Sequence, residues 1–342
     1  MSGFSQRGLD AARSLVQETV ATRVWPGAVY TVGHGHEVQD VWATGWAEHG
    51  PHGQRPMTRA TVFDLASLTK VLATLPAVLR LVDHGAIELD EPLATYLPEV
   101  DPRPTVRQAL THTTGLPRHQ RFTAASTGEL VGAVAAVPLE AEPGTRVAYS
   151  DLGFILLGGV VERVTRTAFA RVVDTEVLGP LGSGARFLPP EAWRDRIAAT
   201  EVVEGVTTTG TVHDENAAAA GGVAGHAGLF GTIEDLRAAV PLWLADGPLL
   251  SATLRAGALR DQTIGLDGHR GLGWTARGDG YDILADGWGA HAVSHTGFTG
   301  TSLALDPDSG RWAVLLTNAV HFGRARPDAR AARRAFHAAL VS

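Results

Sequence analysis

The chain has 342 residues, 44% of them apolar and 19% charged, which fits one large globular domain or two interleaved ones. Its formal net charge is −7 and no run of Lys or Arg stands out, which argues against a nucleic-acid partner or an anionic membrane surface. It has no cysteine, so disulfides, thiolate nucleophiles and cysteine metal sites are excluded.

Residues 5 to 23 read as an amphipathic helix, with Leu9, Ala12, Leu15, Val16 and Val20 near helical spacing. Asp10 and Glu18 interrupt any apolar run there, so no secretory h-region is expected. Elsewhere the longest apolar stretches, such as FILLGGVV, fall far short of the ~20 residues that span a bilayer. The sequence therefore reads as a soluble cytoplasmic protein. GAVYTVGHGHEVQDVWATGWA follows as two strands around a Gly/His turn.

From about 67 to 225 the pattern is mostly helical. SLTKVLATLPAVLRLVDHG predicts one long apolar helix, kinked at Pro76 and closed by Gly85. TVRQALTHTTGL and SDLGFILLGGVVERVTRT predict further helices. Strands return after about 265 in RGLGWTAR, AVSHTG, TSLALDP and RWAVLLTNA, with DPDSG as a hairpin turn between the last two. ARPDARAARRAFHAALVS closes the chain as a helix. Helices at both ends with strands just inside them predict an α+β (mixed α/β) fold. An antiparallel sheet is flanked by the terminal helices (1–66 and 226–342), with a mostly helical insertion (67–225) and a cleft between them.

The stretch VFDLASLTKVLATL carries Ser67 and, three residues on, Lys70. Residues i and i+3 share a helix face, so hydroxyl and amine can meet in one cleft. A serine hydroxyl needs a base to become a nucleophile, and a buried lysine can be that base once its proton affinity is lowered. Alone, the pair reads first as a helix-start serine followed by a lysine reaching for solvent. It does not stand alone. AYSDLG places Tyr149, Ser150 and Asp151 at a helix start, and VSHTGFTG places His295, Thr296 and Gly297 on a late strand.

This order of motifs resembles the serine β-lactamases and penicillin-binding proteins, in the branch of class C β-lactamases, D,D-carboxypeptidases, D-aminopeptidases and related esterases. TVRQALTHTTGLP, YSDLGFILLGGVVERVT and GGVAGHAGLFGT add to the likeness, which runs from about residue 25 to 320. The resemblance implies the β-lactamase/transpeptidase-like fold. It implies Ser67 as the acylated nucleophile, with Lys70 and Tyr149 as its proton-transfer partners, either of which could be the base. It also implies an oxyanion hole from the backbone N–H groups of Ser67 and Phe298.

Two positions depart from the family pattern. Asp151 stands where many relatives carry asparagine. It either places an anion beside Lys70 or caps the helix and faces away. His295 replaces the lysine of K-T-G, which removes a permanent cation and favours neutral esters or amides over β-lactams and peptidoglycan stems. His226 in GHAG, His119 and Phe122 are candidate cleft-lining residues, and His112 in LTHTTG reads as structural.

Fourteen histidines invite a metal hypothesis, but His34 and His36 have no third ligand at metal-site spacing, and H-E-x-x-H and phosphate-loop patterns are absent. No metal or cofactor is expected. The reading is a serine hydrolase acting through an acyl-enzyme on a small-molecule ester or amide, first a carboxylesterase on small esters. A D-amino-acid peptidase or amidase, an acyltransferase, a weak β-lactamase and a non-catalytic binding protein on the same fold are the alternatives.

Overall fold

The computed structural model describes residues 3–50 and 53–342. Its centre is a seven-stranded sheet in which every pairing is antiparallel. The strands are β1 (Gly27–His34), β2 (Glu37–Gly50), β3 (Gly53–Pro56), β4 (Thr275–Ala276), β5 (Val293–Thr296), β6 (Ser302–Asp306) and β7 (Arg311–Thr317). Their order is β3-β2-β1-β7-β6-β5-β4, so β1 and β7, from opposite ends of the chain, lie side at side in the middle.

Alternation along these strands separates two cores. Ala28, Tyr30 and Val32 of β1 and Ala313 and Leu315 of β7 pack with Leu9, Val16, Phe336 and Leu340 of the two terminal helices, Gln6–Ala21 and Pro327–Ala339. Val29, Leu303, Leu305, Val314 and Leu316 point the other way, into the larger core built with the central helices. Ser5 caps the first helix, its Oγ accepting the Gly8 N–H at 3.0 Å.

Two expected elements come out differently. The long helix from Ser67 is three consecutive pieces: a 3-10 turn (Ala66–Leu68), a π-helical turn (Lys70–Thr74) and an α-helix (Leu75–Asp83). Pro76 falls in the first turn of the α-helix, where its missing N–H costs least, and the wide turn just before it takes up the change. RGLGWTAR forms strand only at Thr275–Ala276. Gly273 has φ +74° and donates to the Leu110 carbonyl, and a Cβ on Gly271 would stand 2.5 Å from the Ala258 carbonyl oxygen. These glycines make a close-packed loop instead of a ladder.

A smaller three-stranded sheet, Phe63–Asp64 with Leu229–Gly231 and Arg186–Phe187, holds the segment entering Ser67. The helix Asp151–Thr165 is buried along Leu152–Val161 and starts at Ser150, whose Oγ accepts the Leu152 N–H and donates to the Pro117 carbonyl. The described residues contain no helix long and apolar enough to cross a membrane.

His337 lies buried between the last helix and the sheet, sharing a hydrogen bond with Ser302 Oγ at 3.0 Å, while its Nδ1 has no partner among the described residues. Burial, with a smaller push from Arg333, lowers its pKa to about 3. The folded value lies below the unfolded one. The unfolded chain therefore takes up the proton first, and the stability His337 confers above about pH 6.5 drains away toward pH 3. Thermal scans from pH 7 to 5 should show His337→Gln losing less stability than the parent, by about 1.4 kcal/mol per pH unit below 6.5. Equal slopes would assign the acid sensitivity to other groups.

Candidate active site

A cleft of about 550 Å³ opens between the β5 end of the sheet and the helical layer. Ser67, Tyr149, Asp151, His119, His295, Thr296, Gly297 and Phe298 all line it. Ser67 sits in the tight 3-10 turn after the Phe63–Asp64 strand, preceded by Ala66 at φ +46°, a left-handed conformation that is strained for a residue with a Cβ. That turn lifts the Ser67 hydroxyl into the cleft while Lys70, on the next turn, is fully buried beneath it.

Lys70 Nζ donates to Ser67 Oγ at 3.0 Å, to Asp151 Oδ1 at 2.7 Å and to the His226 carbonyl at 3.3 Å. It also lies 5.0 Å from the centroid of the Tyr149 ring and 5.6 Å from that of Phe154. Burial works to strip the proton from this amine, but Asp151, with Tyr149, outweighs it and holds the pKa above the ordinary lysine range. Asp151 is the mirror case. Burial raises its pKa, yet Lys70 and His119 hold the carboxylate well below the usual range. The two form a buried ion pair, and Ser150, not Asp151, caps the helix.

Tyr149 is wedged among rings: His112 at 4.5 Å, Tyr281 at 5.5 Å and His295 at 6.1 Å between centroids. The His112 Nδ1 accepts the Ser150 N–H at 3.1 Å, fixing the chain just after Tyr149. Burial, reinforced by Lys70 and Arg270, drives the His295 pKa well below its ordinary value, so this position of β5 presents a neutral ring. Neither of its ring nitrogens has a hydrogen-bond partner among the described residues.

Beyond Thr296 the strand runs past the short β4 and its outer side is open. Gly297 is required there, since a Cβ would stand 2.1 Å from Thr301 Oγ1 and 2.6 Å from the Leu65 carbonyl oxygen. This contact brings the strand against the Ser67 turn. Neither the Ser67 N–H nor the Phe298 N–H donates to a protein acceptor among the described residues, so both are free to receive an oxyanion.

The His226 Nε2–H donates to Asp214 Oδ1 (2.8 Å), and His226 reaches Lys70 only through its backbone carbonyl. Phe122 does not line the cleft. It is half-buried against the main core, and its N–H donates to Asn216 Oδ1. Several cleft residues carry no motif that sequence reasoning could catch. Arg270 is buried against Asp279 at 2.9 Å, 5.6 Å from the Tyr149 centroid. Arg330 and Arg333 reach the cleft from the last helix, and Arg333 Nη1 donates to the Gly297 and Thr301 carbonyls. Only the i, i+3 spacing of the two arginines hinted at a shared face. Among the described residues no His, Asp or Glu group of three or more is placed to hold a metal ion.

A family model described as Beta-lactamase matches residues 12–338. The chain belongs to the beta-lactamase family. That family is one of serine hydrolases on the β-lactamase/penicillin-binding-protein fold. A curated member from Salmonella paratyphi A, named as a D-alanyl-D-alanine carboxypeptidase, is 30% identical over 323 residues, covering 79% of this chain and 72% of the relative. Among solved structures, EstCE1, a hydrolase with promiscuous acyltransferase activity, superposes with a TM-score of 0.79 at 21% identity, over 97% of this chain and 99% of that one. SurE with D-Leu superposes with a TM-score of 0.74 at 28% identity, over 96% of this chain and 74% of that one.

Proposed function

We propose that the protein is an acyl-enzyme hydrolase in which Ser67 is the nucleophile, and that its substrates are small carboxylic esters. The observation that carries the mechanism is the 3.0 Å contact between Ser67 Oγ and the buried Lys70 ammonium. Ser67 Oγ attacks the ester carbonyl, and the resulting oxyanion is received by the N–H groups of Ser67 and Phe298. Lys70 is held charged by Asp151, so it donates rather than accepts, which leaves Tyr149 as a relay whose oxygen takes the serine proton as its own proton passes to the departing alcohol. Water then attacks the Ser67 ester and releases the acid. Neutral His295 supports the ester reading, because the third motif offers no ammonium for a substrate carboxylate.

One observation favours a second reading, hydrolysis of D-amino-acid peptides. Arg330 and Arg333 line the cleft without a carboxylate partner among the described residues, and together they could seat a free C-terminus. The curated relative's name points the same way. Stopped-flow release of nitrophenol from a short-chain nitrophenyl ester tests the first reading. A burst near one equivalent followed by turnover is expected. No release, together with turnover of a D-alanyl-D-alanine peptide, would replace the first reading by the second.

A further inference from the structure

Asp64 is a fully buried carboxylate that the chemistry above does not use, and it forms no ion pair among the described residues. Its two oxygens are instead split between two segments of the cleft. Oδ1 accepts the Ala66 N–H at 2.8 Å, inside the nucleophile turn, and Oδ2 accepts the His213 N–H at 2.7 Å, on the loop facing it. The Asp64 carbonyl accepts the Thr299 hydroxyl at 2.8 Å, and the next carbonyl, of Leu65, accepts Thr301 Oγ1 at 3.2 Å. The His213 ring is stacked on Phe298, centroids 5.6 Å apart and planes at 22°.

Three of these four hydrogen bonds end beside a residue of the oxyanion hole. Ala66 precedes Ser67, Thr299 follows Phe298, and His213 covers the Phe298 ring. The strained φ of Ala66 also needs an external hold to persist, and the Asp64 carboxylate supplies one. We propose that Asp64 is a positioning residue that sets the spacing of the two oxyanion donors, clamping the Ser67 turn to the Phe298 strand end through His213 and Thr299. The proposal rests on the acyl-enzyme reading for its catalytic consequence, though the clamp itself does not.

The clamp needs both oxygens as acceptors. A proton on either one would face an N–H donor and break that side. Burial raises the Asp64 pKa to about 6, opposed by the two N–H groups and His213 and aided by Asp214, the charged groups that face it. The clamp therefore loosens as pH falls through about 6.

Backbone amide NMR of the whole protein between pH 5 and 7.5 tests this without turnover. The Ala66 and His213 amide signals should titrate together with a midpoint near 6, and Asp64→Asn should abolish that titration. In ester kinetics Asp64→Asn should lower kcat at least ~10-fold with KM changed less than about threefold, and lose the acid limb near pH 6, as expected for a misplaced oxyanion donor. Thr299→Val, which keeps the packing, should lower kcat in the same sense if Asp64→Asn does not fold. Amides that do not titrate in this range, or wild-type kcat in either folded variant, would overturn the proposal. A Ser67→Ala enzyme that still turns over ester would instead overturn the acyl-enzyme reading and leave the amide titration as it was.

Discussion

Ser67→Ala should lower kcat for ester hydrolysis by at least ~10³ and abolish the burst, the scale seen when a nucleophile is removed and only binding and oxyanion stabilisation are left. The loss should come without a loss of fold. Ser67 is half-buried at the cleft, and its Oγ is one of three acceptors around the Lys70 ammonium, the others being Asp151 and the His226 carbonyl. Removing one neutral acceptor leaves the ion pair whole, so thermal stability should stay close to the parent. Kinetics and a thermal scan on the same sample separate the two outcomes. Near-normal turnover in a clean preparation would remove Ser67 from the chemistry and with it the acyl-enzyme.

Asp151→Asn should act in the opposite way, on charge first and on fold as well. Asp151 is what keeps the buried Lys70 protonated against the cost of its burial. With the carboxylate gone, burial dominates and the ammonium gives up its proton more readily, so every dependence of kcat/KM on that proton moves to lower pH. An unmoved profile would mean that the ion pair does not govern the reaction.

The stability effect has a defined window. The raised pKa of Lys70 stabilises the fold fully below its unfolded value and is lost as pH rises through the folded one. The depressed pKa of Asp151 stabilises it above the ordinary carboxylate range and is lost as pH falls through the folded one. Both contributions are complete between about pH 4 and pH 10. Breaking a buried pair costs about 3–5 kcal/mol, so the variant should unfold at visibly lower temperature or denaturant concentration at pH 7.

The parts of this fold written in local pattern were legible. The helix from Gln6, the β1–β2 hairpin and the β6–β7 hairpin follow from periodicity and turn residues within one stretch of chain. Ser67, Tyr149 and His295 sit in short ordered motifs, and the cleft brings the three together. What escaped depends on distant partners. Whether Asp151 capped a helix or met Lys70 was undecidable locally, because Ser150 and Asp151 are both good caps, and only the approach of residue 70 distinguishes them. The π-helical turn at Lys70–Thr74 has no sequence period of its own. The arginines of the last helix carry no motif, and only the docking of that helix beside Gly297 brings Arg333 to the cleft. Phe122 looked like a wall residue from its place in a loop, yet an aromatic ring beside an open core packs into that core.

The central pairing of the sheet carries a consequence for how the protein is made. Ala28 lies opposite Thr317, so β1 can gain its second neighbour only after the chain through β7 has left the ribosome. Until then the β1–β2 hairpin has an open edge and an uncovered apolar face, the kind of surface that self-associates or calls for a chaperone. The same closure delivers β5 and the last helix to the Ser67 turn. Folding of this topology is therefore slow by its contact order, and Ser67 stays without its surroundings until β7 and the helix after it have been made. A chain stopped short of β7 would carry Ser67, Lys70 and Tyr149 and still have no site.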